Sequence, residues 1–150
     1  MSAHHFSRIP RMKICSHRTC VKRIKRKPTP LEKKAKRGHQ GFPAATLAFY
    51  GPDASRASKV VVGIVPDEHT KVTELRTWFS ETADVRSDEA IGREILSFIE
   101  KNSVKTVAMS PGIIGCPHEE GKDYPEGEVC PTCTFWAIRD RWTGEKLPQQ

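Results

Sequence analysis

The stretch Ser87–Met109, SDEAIGREILSFIEKNSVKTVAM, decides how the chain folds. Ser87 suits a helix N-cap, and Asp88 and Glu89 follow it where the helix dipole favours carboxylates. Ile91, Ile95, Phe98 and Ile99 recur at i, i+4, i+7 and i+8, which is one face of an α-helix. Lys101 and Asn102 close it, so the pattern predicts a helix over 87–102. VKTVAM (104–109) then reads as a strand, ended by Ser110, Pro111 and Gly112. A helix that feeds a strand needs a sheet to lie on, reached by a right-handed crossover.

The partner strands lie upstream. ATLAFY (45–50) and SKVVVGIV (58–65) are rich in β-branched and aromatic residues. GPDASRA joins them and opens with the turn residues Gly51, Pro52 and Asp53, which predicts a β-hairpin. In VTELRTWFS (72–80), Leu75, Trp78 and Phe79 fall at i, i+3 and i+4. That spacing predicts a short second helix capped by Thr70 or Thr73. The expected class is α+β: a three-stranded sheet, hairpin plus crossover strand, packed on one long helix. A zinc-knuckle loop follows it, and a disordered basic N-terminal arm precedes it. The expected boundaries are 1–44 for the arm, 45–111 for the layer, 112–144 for the metal loop and 145–150 for a polar tail.

Charge divides the chain along the same line. Residues 1–40 hold thirteen Lys/Arg and one acid, Glu32, whereas 41–150 hold twelve Lys/Arg and seventeen acids. The basic surplus therefore belongs to the arm, and such a split points to an anionic partner, nucleic acid above all. The candidate contacts are Lys22, Arg23, Lys25, Arg26, Lys27, Lys33, Lys34, Lys36 and Arg37, with Arg139 and Arg141 near the other end. Arg139 and Arg141 sit beside Trp136 and Trp142, and Arg with Trp can stack on bases and grip phosphates. Pro30 followed by LEKKAKRG could seed a short helix, with Thr29 as cap and Gly38 as stop. Mean hydropathy is −0.55, polar for a fully folded chain. The first residues show no apolar signal-peptide core and no run suits a membrane helix. The expected setting is cytoplasmic, nucleoid-associated, or nuclear in a eukaryote, where KRIKRKP would serve as an import signal.

Five cysteines, an odd number without a secretory signal, favour metal ligation over disulfides. Cys130-Pro-Thr-Cys133 is one short-spaced pair, and Cys116-Pro-His118 is another. Gly121, Pro125 and Gly127 let the intervening loop bend and bring the pairs together. A Cys₃His set of this kind suits one structural Zn²⁺. The C-P-x-C element is similar to rubredoxin-type zinc knuckles, a resemblance of about four residues that recurs in unrelated folds. Cys15, His17 and Cys20 offer a second, more cramped set.

His118-x-Glu120 followed by C-x-x-C invites comparison with nucleobase deaminases, in which a Glu shuttles protons beside an open zinc position. Three features depart from that pattern. The gap from Glu120 to Cys130 is too short for the intervening elements, Val129 rather than Pro precedes the cysteine, and Cys116 would close the open position. No G-x-S-x-G, P-loop or dinucleotide fingerprint occurs. SPGIIG (110–115) reads as a lead into the metal loop. The leading expectation is a zinc-binding, non-enzymatic, nucleic-acid-associated module. The alternatives are a protein–protein adaptor with a structural zinc and an acidic partner, and a zinc-dependent hydrolase or deaminase-like enzyme using His118 and Glu120.

Overall fold

The computed structural model describes residues 26–148, so Cys15, His17, Cys20, Lys22, Arg23 and Lys25 lie outside the described residues. In chain order the elements are α1 (Pro30–Lys36), β1 (Ala44–Tyr50), β2 (Lys59–Val65), β3 (Glu74–Phe79), α2 (Glu89–Lys101) and β4 (Thr106–Ile113). A 3₁₀ turn over Thr134–Ile138 follows. The strands form one mixed sheet in the order β3-β2-β1-β4. The expected hairpin pairs Ala44 with Val65 through to Tyr50 with Lys59. β4 lies parallel to β1, the pairing a helical crossover permits.

Helix α2 buries the expected stripe of Ile91, Ile95, Phe98 and Ile99. It lies on the sheet face that carries Leu47, Phe49, Val60, Val62 and Val107, and these residues form one core. Its N-cap is Asp88 rather than Ser87, because the Asp88 carboxylate accepts from the amides of Ala90 and Ile91.

Three expectations are corrected. The sheet has four strands, not three, because the segment read as a second helix is strand β3, paired antiparallel with β2 from Lys59↔Phe79 to Ile64↔Glu74. Its helical spacing is coincidental: Trp78 is buried against the core while Leu75 and Phe79 are exposed. The free ladder edge of β2 offers more hydrogen bonds than two turns of helix would retain. Second, β4 does not stop at Ser110. The register with β1 shifts between Leu47 and Phe49, and this bulge absorbs Pro111. The Ser110 hydroxyl accepts from the Phe49 amide and donates to the Gly112 carbonyl, so both groups stay paired where the ladder is interrupted.

Third, the stretch 26–44 is not a disordered arm. Thr29 and Glu32 form a reciprocal capping box at the start of α1, with Pro30 in the first turn. Leu31 enters the core, and the helix packs beside β4. The Gln40 amide then donates to Thr106 Oγ1 at 2.8 Å, which ties the incoming chain to β4. The region expected as a polar tail also pairs back in part, since the Leu147 amide donates to the Ile138 carbonyl at 2.8 Å. Among the described residues no helix is long and apolar enough to cross a membrane.

Candidate metal centre

β1 and β4 end side by side, and the chain leaves β4 directly into the ligand loop. The Gly51 amide donates to the Gly115 carbonyl at 2.9 Å, which pins the loop to the end of β1. Gly51 is required there, because a Cβ would collide with the Arg56 carbonyl. Trp136 fastens the far end of the loop to the same point: its Nε1 donates to the Gly51 carbonyl at 2.8 Å.

These anchors bring Cys116, His118, Cys130 and Cys133 together, with their ligand atoms all within 4.8 Å of one another. The His118 Nδ1 lies 3.1 Å from Cys116 Sγ, 3.5 Å from Cys130 Sγ and 3.4 Å from Cys133 Sγ. A tetrahedral ion with thiolates at about 2.3 Å and imidazole at about 2.0–2.1 Å would hold sulfur and nitrogen roughly 3.5 Å apart. The four groups could therefore hold one metal ion, with Nδ1 as the imidazole ligand. Between the pairs, Gly121 and Gly127 adopt φ of 78° and 81°, the left-handed turns that let the loop double back.

The electrostatics favour a cation at the centre. Cys130 and Cys133 are buried and Cys116 is half-buried. Burial pushes the Cys116 thiol up to about 12 and raises that of Cys133. Burial acts on Cys130 in the same sense, but the amides of Cys133 and Thr132 together with the Cys116 and Cys133 side chains outweigh it and hold that thiol below its ordinary value. Three sulfurs this close cannot all ionise in a low-dielectric setting without a compensating positive charge.

Lys59, at the start of β2, was not singled out by any motif. Its side chain is only 6% exposed. Its Nζ donates to the Pro117 carbonyl at 3.1 Å and to Glu119 Oε1 at 3.0 Å. It also lies 5.6 Å from the Tyr50 ring centre and 5.5 Å from that of Phe79. The lysine thus ties the ligand pair Cys116–His118 to the sheet. A lysine opening a β-branched strand gives no sequence signal for this role.

The remaining sequence candidates are placed as follows. Glu120 accepts from the Gly127 amide at 2.6 Å, so its carboxylate is engaged within the loop. Arg139 stacks over Phe135 at 4.4 Å and donates to the Gly144 carbonyl, whereas Arg141 and Trp142 are exposed. On α1, Lys33, Lys36 and Arg37 are exposed and Lys34 is half-buried. Arg26 donates twice to Glu32, at 3.0 and 2.6 Å, while Lys27 precedes the helix in an exposed position. No family model, curated protein or solved structure matches the chain.

Proposed function

We propose that the protein is a zinc-organised, non-enzymatic module that binds nucleic acid through its basic N-terminal segment. The choice of zinc rests on the donor set, since three thiolates with one imidazole suit Zn²⁺ better than iron or the hard cations. A structural role is supported by the ligand count. Four protein donors converge on one point, which fills a tetrahedral shell and leaves no position for a reacting water. The engagement of Glu120 with the Gly127 amide speaks against the proton-shuttling role that a hydrolase or deaminase would require.

The observation that carries the nucleic-acid reading is the anchoring of α1. Lys33, Lys36 and Arg37 stand exposed on a helix whose Leu31 is held in the core. They are three of the thirteen Lys/Arg within residues 1–40. Cations on an anchored helix lose less freedom on binding phosphate than cations on a free tail. The test is titration of the full chain with random-sequence duplex DNA and single-stranded RNA across salt concentrations. The binding constant should fall steeply with salt, by about 0.9 log units per log unit of salt for each duplex phosphate neutralised. Replacing Lys33, Lys36 and Arg37 with glutamine should flatten that slope. Absence of binding at low salt would reject the reading in favour of an adaptor with an acidic protein partner.

A further inference from the structure

The turn that carries the chain from α1 into β1 gathers cations and aromatic rings outside the core. Lys33, Lys36 and Arg37 stand at i, i+3 and i+4, one face of α1 and its cap, and all three are exposed. Gly38 then stops the helix with φ of 70°, and Gly41 turns the chain again with φ of 100°. The Gln40 amide donates to Thr106 Oγ1, which itself donates to the Gly41 carbonyl, and the Lys105 amide donates to the Pro43 carbonyl at 2.8 Å. These bonds hold the turn against the start of β4. Lys105 is exposed, and its stem runs beside Gly41, where a Cβ would meet Lys105 Cδ at 3.7 Å.

Two rings share this turn. His39 is exposed and Phe42 is half-buried, with ring centres 5.4 Å apart and planes at 69°. Phe42 belongs neither to the core nor to the hydrophobic residues packed against it. An edge-to-face pair leaves ring faces open that a stacked pair would cover. The turn thus carries an aromatic platform that the fold does not use for its own burial.

No acid offsets the cations. The two segments that build this surface contain none, since no Asp or Glu occurs between Glu32 and Asp53 or between Glu100 and Glu119. Among the described residues no carboxylate pairs with Lys33, Lys36, Arg37 or Lys105, whereas Arg26, Lys59 and Arg86 each meet one. Cations alone favour a duplex, which carries one charge per about 1.7 Å of its axis. A duplex, however, keeps its base faces stacked within. Unpaired bases can stack on exposed rings, and rings beside cations hold single strands with little regard to sequence. Building on the nucleic-acid reading proposed above, we infer that this surface binds single-stranded nucleic acid. Phosphates lie along Lys33, Lys36, Arg37 and Lys105, and a base stacks against the His39–Phe42 pair.

Anisotropy titration of the full, metal-loaded chain with oligothymidylate, oligouridylate and a blunt duplex of equal length tests this. At matched salt the single strands should bind about five-fold more tightly than the duplex or better, the reverse of the order that charge density alone would give. His39→Ala and Phe42→Leu should each weaken single-strand binding by about five-fold or more, with duplex binding and the salt slope nearly unchanged, and His39→Tyr should retain the affinity. Lys105→Gln should instead flatten the single-strand salt slope by about 0.7. An unchanged melting temperature of His39→Ala, at an exposed position, separates lost stacking from misfolding. Equal or tighter binding of the duplex would overturn the inference and leave the broader nucleic-acid reading standing, as would undiminished single-strand binding by both ring variants. Failure of all three oligonucleotides to bind at low salt would overturn both.

Discussion

Replacing Lys59 with methionine isolates the link between the metal loop and the sheet. Methionine keeps an unbranched apolar stem between Tyr50 and Phe79 and removes only the ammonium group. The 3.1 Å bond to the Pro117 carbonyl is a charge-assisted one, a class that contributes about 1.5–3 kcal/mol. The pair with Glu119 contributes less, because that carboxylate is 52% exposed and solvent screens it. Two ring contacts near 5.5 Å are also lost, offset in part by sulfur–aromatic contacts of the methionine. Relief from burying an ammonium opposes these losses. The net cost should be about 1–3 kcal/mol, a fall in melting temperature of roughly 3–15 °C for a domain of this size. Glu119→Gln alone should leave the melting temperature almost unchanged, and the double variant should melt where Lys59→Met does. Thermal unfolding of the metal-loaded protein measures both. Limited proteolysis should show new cleavage between Gly115 and Tyr124. A Lys59→Met protein that melts within about 1 °C of the parent, with the loop equally resistant, would refute the anchoring role.

Elemental analysis under reducing conditions should find one zinc held by Cys116, His118, Cys130 and Cys133, with a value near two if Cys15, His17 and Cys20 also bind. Cys133→Ser or His118→Ala should loosen the metal and open the loop to protease while α2 and the sheet persist, as read by far-UV dichroism. Glu120→Gln should keep the metal and cost under about 1 kcal/mol, because the amide oxygen still accepts from Gly127. Ile95 is 1% exposed, so Ile95→Ala should cost about 2–5 kcal/mol in a denaturant titration. Burial alone would raise the Asp84 carboxyl, but bonds from Arg86 and the amides of Arg86 and Ala57 outweigh it and hold it below its ordinary value. A depressed carboxyl contributes stability above its unfolded value and loses it as pH falls through the folded one. The stability difference between the parent and Asp84→Asn should therefore be constant near neutrality and shrink below about pH 4.

The sequence by itself determined the parts whose signal is local. Helix α2 shows because its four apolar residues keep the helical period over three turns, and one face of it suffices to specify burial. The hairpin shows because β-branched runs flank turn residues that can do little else. The four ligands show because a C-x-x-C pair and a C-x-H pair leave the thiolates and imidazole few other partners. Even the cap of α1 was legible in Thr29 and Pro30, though the reciprocal bond from Glu32 was not read from it. Tertiary structure decided what depends on neighbours distant in the chain. Leu75, Trp78 and Phe79 fit a helix or a strand equally well over so short a run, and only the open edge of β2 selects the strand. Leu31 is one leucine amid lysines, and its place in the core depends on the groove beside β4. Pro111 would end a regular strand, yet a bulge against β1 and the Ser110 hydroxyl carry β4 past it. Lys59 reads as a surface lysine until the loop folds over it, because the carbonyl and rings that hold its charge arrive from three separate segments.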